Sequence, residues 1–342
     1  MTERPRRAPP TLEQVAAAAG VSRATVSRVV NGSSRVSPTV RAKVESAISA
    51  LGYVPNPAAR SLVTGRSGSV ALVVHEPGAR VFAEPFFGGM IRGVAQTLAE
   101  HELQMVVLFA SSDHECARIA RFLSRGHADG ALLISLHGAD PLLAALERAR
   151  VPLVLLGRPL GRVAVQYVDA DNRSGARDAT AHLLAGGRQC IATIAGPTDM
   201  AVGLDRLEGY RDALRAAGVA PSSNLIEHAD FSEASGADAM RALLARAPAL
   251  DAVFAASDLM AVGAMAVLRE AGRAVPASVA VVGFEDSPAA RQATPPLTSV
   301  HQSTQRFATE MVRLLLDQLA GVAPDPARPV LVPTSLVVRA SS

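Results

Sequence analysis

Cysteine, lysine and aromatic residues are scarce in this chain of 342 residues. There are two cysteines, Cys116 and Cys190, no tryptophan, and only 4% aromatic residues. Two cysteines so far apart cannot form a disulfide framework, which fits a reducing compartment. Lys43 is the only lysine, so the rest of the chain has no lysine to bind a phosphate or form a Schiff base.

Export, membrane and catalytic motifs are missing as well. The N-terminus is charged and proline-rich without the apolar stretch of an export signal, and no apolar run approaches the roughly 18 residues that span a bilayer. The histidines have no metal-ligand spacing, and no HExxH, GxSxG or GxxxxGK motif occurs. These absences predict a soluble cytoplasmic protein that uses no cofactor or metal, contacts no membrane and is not an enzyme.

Positive charge is concentrated at the start of the chain. Residues 1–66 carry ten basic and three acidic residues, a net charge of +7, whereas the remainder carries −4. A basic head on a mildly acidic body predicts a polyanionic partner for the head alone.

Three short helices are predicted in residues 11–51, with a tight glycine turn between the first two. Each has a recognisable start or stop signal. The signals are the capping box of Thr11 and Gln14, the stop at Gly20, the cap Ser22, the stop at Asn31 and Gly32, the Ser37-Pro38 start and the stop at Gly52. This pattern is typical of a helix-turn-helix unit; an ordinary helical core is the alternative, and the charge asymmetry argues against it.

The second of these helices is predicted to enter the major groove of DNA. Arg23, Ala24 and Arg28 would then approach base edges, and Arg28 suits a bidentate contact with guanine. The residues expected to face phosphates are Ser22, Thr25, Ser27, Asn31 and Arg35. A further segment, residues 56–63, has a cap, an N1 proline and helix formers, but helices below about 12 to 15 residues are unstable alone in water. We expect it to fold only against a partner.

From residue 69 onward, short β-branched runs alternate with longer helical patterns. The expected strands are 70–74, 105–109, 131–134, 153–156, 191–195, 252–256 and 279–284; the expected helices include 88–100, 175–185, 205–217 and 259–271. Such alternation predicts an α/β fold of two lobes, each a doubly wound parallel sheet, with an all-α N-terminal domain. Ligands of such folds bind beyond the carboxyl ends of the strands.

Five segments carry a closer resemblance. They are TLEQVA (11–16), AGVS (19–22), TVSRVVNG (25–32), VSP (36–38) and LGYVPNPAARSL (51–62). Together they closely resemble the lactose-repressor family of bacterial regulators. The resemblance implies a homodimer on pseudo-palindromic operator DNA, with paired hinge helices in the minor groove and Leu62 wedged into the central base step. It also implies DNA contacts for Thr11, Asn56 and Ala59.

The resemblance further implies a periplasmic-binding-protein-like sensor whose effector binds between the lobes. The implied effector-binding positions are Phe87, Asp171, Arg206, Phe231, Ser257, Asp258 and Glu285. Aromatic rings that stack on a pyranose, with arginine and carboxylates on its hydroxyls, suit a neutral sugar. Two alternatives stay open: the phenylalanines as core residues, and Arg206 as an interlobe salt bridge. Glu285 replaces the family's usual aspartate, so its hydrogen bond with the ligand is in question.

Four more segments are similar to an actinobacterial branch that senses cellobiose. They are FAEPFF (82–87), LISLH (133–137), GRPLG (157–161) and AGPTDM (195–200). We therefore expect a transcriptional repressor released from its operator by cellobiose or a related oligosaccharide, and controlling carbohydrate-utilisation genes. The alternatives are a sugar-binding protein of a transporter, a sugar-processing enzyme, an activator, or a regulator that uses a purine or another corepressor.

The predicted domains are 1–55 (helix-turn-helix), 56–66 (hinge helix and linker) and 67–342 (effector binding and dimerisation). Within the last, the N-lobe is expected at about 69–168 plus 299–327 and the C-lobe at about 169–298 plus 328–342. The C-terminus lacks a leucine heptad, which predicts a dimer rather than a tetramer.

Overall fold

The computed structural model describes residues 10–30, 35–54, 66–138, 140–161 and 164–342. The chain divides into two compact units, Met1–Gly68 and Ser69–Ser342. The predicted hinge segment, with Asn56, Ala59 and Leu62, lies outside the described residues, as does Asn31. In the described part of the chain, no helix is both long and apolar enough to cross a membrane.

The first unit contains α1 (Leu12–Ala19), α2 (Arg23–Val30) and α3 (Pro38–Leu51). The capping box predicted for α1 is present: Gln14 N donates to Thr11 Oγ1, and Thr11 N donates to Gln14 Oε1. Gly20 ends α1 in the left-handed conformation, with φ of 64°, as the predicted turn requires. The buried core of the unit joins all three helices and consists of Val15, Ala16, Val26, Val29, Val44, Ala47 and Tyr53.

Two details of this unit differ from the predictions. Ser37 stands at the N-cap of α3 before Pro38 but makes no side-chain cap bond. Leu51, the apolar last residue of the predicted helical segment 11–51, is 39% exposed in the last turn of α3 rather than buried in the core.

The second unit is built on two sheets. Its strands are β1 (Ser69–Val74), β2 (Gln104–Phe109), β3 (Gly130–Ile134), β4 (Leu153–Leu156), β5 (Gln166–Ala170), β6 (Ile191–Ala195), β7 (Ile226–His228), β8 (Ala252–Ala255), β9 (Ala280–Glu285), β10 (Thr298–His301), β11 (Val330–Val332) and β12 (Ser335–Val337). One sheet has the order β11-β5-β4-β3-β1-β2 and is parallel throughout. The other has the order β12-β10-β9-β8-β6-β7, parallel except where β12 pairs antiparallel with β10.

Helices cover both faces of each sheet. They are α4 (Gly78–Ala83), α5 (Pro85–Glu100), α6 (Asp113–Ser124), α7 (Pro141–Arg148), α8 (Asn172–Ala185), α9 (Ala201–Ala216), α10 (Glu233–Arg246), α11 (Asp258–Glu270), α12 (Pro288–Gln292) and α13 (Thr304–Leu319). Leu72 and Val74 of β1 pack toward α5 and α13, whereas Ala71 and Val73 pack toward α6 and α7. Central strands buried on both faces need continuous apolar runs, which is why those runs were visible in the sequence.

The chain crosses between the lobes three times. The crossings lie between β5 and α8, between β10 and α13, and between β11 and β12. The predicted lobe boundaries therefore shift by a few residues. Residues 299–301 pair in the C-lobe sheet, and residues 330–332 pair in the N-lobe sheet, because each strand completes its ladder before the chain crosses.

Helices α10 and α11 approach each other unusually closely. A Cβ atom at Gly263 would lie 2.1 Å from the Glu233 carbonyl oxygen, and one at Gly236 would lie 2.4 Å from Met260 Cα. Both obstacles are backbone atoms, which cannot move aside as a flexible side chain can. Glycine is therefore required at this crossing.

We expect Gly263→Ala to lower the free energy of unfolding by about 1–3 kcal/mol, because the methyl group overpacks a rigid contact. Gly88→Ala is a matched control, since Gly88 is exposed within α5 and nothing lies within 4 Å of its Cβ position. It should instead stabilise by about 0.5–1 kcal/mol. Thermal unfolding of both variants checks the opposite signs; equal effects would contradict the close crossing.

Candidate functional site

The carboxyl ends of both sheets face a cleft between the two lobes. Its pocket encloses about 780 Å3, including the part open to solvent. The polar residues of the lining are Arg80, Glu84, Ser135, Arg158, Asp169, Asn172, Arg206, Glu285 and Gln302; its aromatic residues are Phe86, Phe87, Phe231 and Phe307. Carboxylates, donors and aromatic faces thus meet in one concave site.

Arg206 of α9 is the buried cation of this site, with 3% of its surface exposed. Its guanidinium lies over the Phe284 ring, 3.7 Å from the centroid. It donates from Nε to Asn172 Oδ1 (2.9 Å), from Nη1 to the Ala256 carbonyl (2.6 Å) and from Nη2 to Gln302 Oε1 (3.3 Å). All three acceptors are neutral, and burial lowers the pKa of Arg206 to about 10. A guanidinium has five N–H groups, so two remain for a ligand.

Glu285 is the last residue of β9 and lines the same pocket. Burial raises its pKa to about 8; the Arg206 charge opposes that rise, while Asp258 and Glu84 reinforce it. Its backbone has φ of 111°, a conformation that residues other than glycine rarely adopt. Phe231 and Ser135, also in the lining, have φ of 74° and 63°. Strain of this kind is concentrated at functional sites.

Asp169 is the acid of the N-lobe wall, at the end of β5. Oδ2 accepts a bond from the Arg158 amide (2.9 Å), and Oδ1 accepts bonds from the Ala170 amide (2.8 Å) and Asn172 Nδ2 (2.9 Å). Burial nevertheless raises its pKa to about 6. Through Asn172, this carboxylate is linked to Arg206, so the two lobes share one hydrogen-bonded network at the first crossing.

Aromatic rings line opposite walls of the pocket. Phe87 of α5 is 3% exposed and packs edge-on against Phe86, with centroids 5.5 Å apart. Phe231 lies over Gly196, where a Cβ would come within 2.4 Å of the ring. Its backbone carbonyl accepts a bond from Ser257 Oγ (3.2 Å). Glycine at 196 thus allows the Phe231 ring to reach the cleft.

Four of the seven predicted effector-binding residues line the pocket: Phe87, Arg206, Phe231 and Glu285. The other three, Asp171, Ser257 and Asp258, lie beside or beneath it.

The side chains of these three residues are bonded to the protein itself. Asp171 caps α8 through the Ser174 amide, and Ser257 caps α11. Asp258 is fully buried, and its carboxylate accepts bonds from Ser299 Oγ (2.6 Å) and the Ser287 amide (2.7 Å). They therefore hold the site in place rather than face the cavity. The alternative role of Arg206, an interlobe salt bridge, is not what the structure has, since Arg206 donates to neutral acceptors within its own lobe and at the crossings.

Several lining residues were missed, namely Arg80, Glu84, Arg158, Asp169, Asn172 and Gln302. A signal was available for two of them: Asn172 adjoins Asp171, and Glu84 lies in the segment 82–87 that also contains Phe87. Asp169 lies within β5 and Gln302 directly follows β10, and the short polar sequences of these two strands were not recognised as strands. In the described residues no group of three or more His, Cys, Asp or Glu is placed to hold a metal ion.

The predicted DNA-reading residues lie on α2 and around it. Arg23, Ala24 and Arg28 are exposed, while Val26 and Val29 of the same helix are buried. Ser22 Oγ accepts a bond from the Thr25 amide (3.2 Å), and Arg23 pairs with Glu13 (3.1 Å). Helix α2 thus presents a basic outer face.

The other predicted DNA-contacting residues of this unit differ in their exposure and bonding. Thr11 uses its hydroxyl to cap α1. Thr25 and Ser27 are partly exposed on α2, and Arg35 is exposed just before α3.

Family models match both units. Residues 11–56 match the bacterial regulatory proteins of the lacI family, and residues 180–342 match a periplasmic binding protein-like domain. The HTH-type transcriptional regulator CelR of Thermobifida fusca is 53% identical over 338 residues, 98% of this chain and 99% of that protein. The repressor CytR of Escherichia coli K12 is 33% identical over 91% of this chain and 90% of its own.

Solved structures agree with these sequence matches. A CelR–cellobiose complex is 50% identical, with a TM-score of 0.79, and covers 97% of this chain and 100% of its own. The lac repressor dimer bound to operator and the anti-inducer ONPF is 29% identical, with a TM-score of 0.86, and covers 98% of this chain and 99% of its own. With full-length relatives above 30% identity and a matching DNA-binding module, this chain belongs to the lacI family of bacterial regulatory proteins.

Proposed function

We propose that this protein is a cytoplasmic transcriptional repressor that binds a pseudo-palindromic operator as a homodimer and is released by cellobiose or a related β-glucoside. The observation that supports the ligand class most directly is the pocket itself. A buried arginine with spare N–H groups, two carboxyls and two aromatic faces converge there. The likeness to a regulator solved with cellobiose supports the same ligand.

A neutral sugar suits the charges of this pocket. Arg80 is neutralised by Glu84 (2.6 Å) and Arg158 by Asp205 (2.8 Å). Glu285 and Asp169 add acidic groups with raised pKa values. Hydroxyl groups both donate and accept hydrogen bonds, so they satisfy such carboxyls and the spare N–H groups of Arg206 without adding charge.

Release from DNA requires the sugar to discriminate between two states. Reversing a 99:1 preference takes about 5.5 kcal/mol of differential binding. A ligand held by Arg206 and Glu285 on one lobe and by Asp169 and Phe87 on the other gains contacts only when the lobes close around it. Such a ligand therefore favours the closed form, which we propose has weak affinity for the operator.

The rival functions fit less well. A transporter's sugar-binding protein shares the two-lobed fold but would not carry a basic helix-turn-helix unit. Residues 11–56 of this chain form such a unit and match the lacI family model. A regulator with a purine corepressor would share the DNA-binding unit, so the ligand itself is what separates it from our proposal. Relatives of this chain are transcriptional regulators, and we propose no catalytic step.

Arg206→Lys should weaken cellobiose binding roughly 10- to 150-fold, because one charge-assisted hydrogen bond to the sugar is lost while the buried charge is kept. Operator affinity without sugar should not change. Arg211→Lys is the matched control, since Arg211 lies on the same helix and pairs with Glu208 outside the pocket. Calorimetric titration of both variants with cellobiose checks this prediction. Undiminished affinity in Arg206→Lys would show that Arg206 does not bind the sugar. A wild type that binds nucleobases but no sugar would contradict the proposed ligand class.

Glu285→Gln should raise the thermal midpoint, increasingly so between pH 5 and pH 8. The raised pKa of Glu285, about 8, means that ionising it in the folded protein is unfavourable. The cost is absent below the ordinary pKa of 4.5 and grows until the pH passes the folded-state value. Glutamine removes that cost. Asp286→Asn should lower the thermal midpoint, because it removes the ion pairs of Asp286 with Arg339 and Arg291. Thermal unfolding of both variants across this pH range checks both signs. A difference in midpoint between Glu285→Gln and wild type that does not change with pH would contradict the burial of this acid.

Arg28→Ala should weaken binding to an operator selected from random DNA by about 1–3 kcal/mol, the energy of one bidentate contact with guanine. Binding to unrelated DNA should weaken far less. Lys43→Ala is the control, because Lys43 is exposed on α3 and was not predicted to read a base. Fluorescence anisotropy at several salt concentrations separates the two effects. Equal losses on both DNAs would make Arg28 a phosphate contact.

A further inference from the structure

A second cluster of ionisable residues lies at the cleft, outside the lining of the pocket. Glu76 follows β1 and His137 follows β3, both in the N-lobe, whereas Asp199 follows β6 in the C-lobe. Glu76 is 4% exposed and Asp199 has 55% of its side chain exposed. The cluster therefore extends from the interior of one lobe to the surface of the other.

Glu76 is the centre of this cluster. Oε1 accepts bonds from Ser135 Oγ (2.6 Å) and His137 Nε2 (3.0 Å), and Oε2 is 3.2 Å from Arg80 Nη1. Burial by itself would raise the pKa of this carboxyl, but its three donors outweigh desolvation, so the pKa is lowered and the carboxylate is ionised. The Glu76 charge thus fixes the positions of His137 and Arg80.

His137 is held between two carboxylates. Nε2 faces Glu76, and Nδ1 lies 2.9 Å from Asp199 Oδ2. An ionised carboxylate accepts hydrogen bonds and cannot donate, so both ring nitrogens must carry a hydrogen. Only the imidazolium form of histidine has both. The geometry therefore defines the charge state of the ring when the lobes are together.

The contacts of this cluster also join the lobes. Besides the ring, the Gly138 amide donates to the Asp199 carbonyl (2.7 Å). On the other side of Glu76, Arg80 Nη2 donates to the backbone carbonyl of Asp230 in the C-lobe. One buried carboxylate thus organises two connections across the cleft, one of which depends on a proton.

We propose that Glu76, His137 and Asp199 form a pH-sensitive interlobe latch, in which His137 joins the two lobes as an imidazolium and lobe closure takes up a proton. Glu76 and His137 are positioning residues, since they lie outside the pocket and act through closure. The link to effector affinity rests on the proposed function, whereas the latch itself does not.

The surrounding charges determine the direction of the pH dependence. The pKa of His137 is raised above its ordinary value of 6.5, first by the bond with Glu76 and also by Asp199, against desolvation. The neighbouring ring of His75, 6.4 Å away edge-on, is bonded to Asp140, and Arg80 is paired with Glu76 and Glu84. Glu76 lies in the same lobe as His137, so only the part of this rise that comes from Asp199 depends on closure. Closure therefore keeps this contribution while the ring is protonated and loses it as the pH rises through the raised pKa of His137.

His75 provides an internal control. Its Nδ1 is 2.6 Å from Asp140 Oδ2, and its pKa is raised chiefly by that bond. Both partners belong to the N-lobe, so this pair titrates without connecting the lobes. The charge of His137 acts on His75 only as a minor influence, so substitutions at Asp199 should shift the pKa of His75 far less than that of His137.

The latch is tested without any sugar by nuclear magnetic resonance titration of the full-length protein with 13C-labelled histidine. His137→Gln and His75→Gln assign the two resonances. In Asp199→Asn the asparagine amide donates to Nδ1, so the neutral ring completes the latch and the pKa of His137 should fall, with a much smaller change at His75. An unchanged pKa of His137 would show that Asp199 does not reach it in solution and would overturn the proposal.

The second experiment measures cellobiose affinity of the same proteins between pH 6 and pH 8.5. Wild type should lose roughly two- to fivefold more affinity over this range than His137→Gln, the range expected for an ion pair with one exposed partner. His75→Gln should follow the wild-type profile. Identical profiles in wild type and His137→Gln would overturn the coupling of latch to effector. A protein that binds no cellobiose at any pH would instead contradict the proposed function and leave the titration result standing.

Discussion

The site depends on burying one guanidinium, that of Arg206, among neutral acceptors. Such a charge is expensive to remove from water unless every polar contact is satisfied. Its acceptors come from three places that are distant in sequence: Asn172 after the first crossing, Ala256 after β8, and Gln302 in the second crossing. The crossings are thereby held to the C-lobe sheet, and the Phe284 ring supplies the remaining contact.

The acids around Arg206 are buried as well. Glu285, Asp169 and Asp258 all have raised pKa values, because their own desolvation outweighs the attraction of Arg206 for Glu285 and Asp169 and the hydrogen bonds that Asp169 and Asp258 accept. They nonetheless differ in what they can offer a ligand. Asp258 is bonded to Ser287 and Ser299 beneath the site. Asp169 lines the pocket but already accepts three bonds, from two backbone amides and Asn172, whereas Glu285 lines it from a strained backbone.

The pocket and the latch use charge in opposite ways. In the pocket, carboxyls with raised pKa values meet spare donors, an arrangement that suits an uncharged ligand with many hydroxyl groups. At Glu76, several donors hold one ionised carboxylate, and that charge in turn positions His137 and Arg80 toward the other lobe. Recognition and closure can therefore vary separately, because the residues that determine each are distinct except for Arg80 and Ser135, which contact both.

Local signals in the sequence were sufficient for much of the molecule. The capping box of Thr11 and Gln14, the stop at Gly20 and the seven apolar strands were predicted because each depends on neighbouring residues or on continuous burial. Charge asymmetry predicted the basic outer face of α2, and resemblance to a family pointed to Phe87, Arg206, Phe231 and Glu285.

Tertiary structure decided which polar residues face the cleft. Asp258 and Asp169 are both buried acids next to strand ends, yet one bonds beneath the site and the other lines it. The same is true of Asp171 and Asn172, adjacent residues of which one caps a helix and the other binds Arg206. In the latch, His137 contacts Glu76, 61 positions earlier in the same lobe, and Asp199, 62 positions later in the other lobe. Sequence by itself determined the helix-turn-helix unit, the seven apolar strands and the charge of each part, because those depend on local chemistry. The short polar strands, the direction of each side chain and its partner followed only from the packing of distant strands.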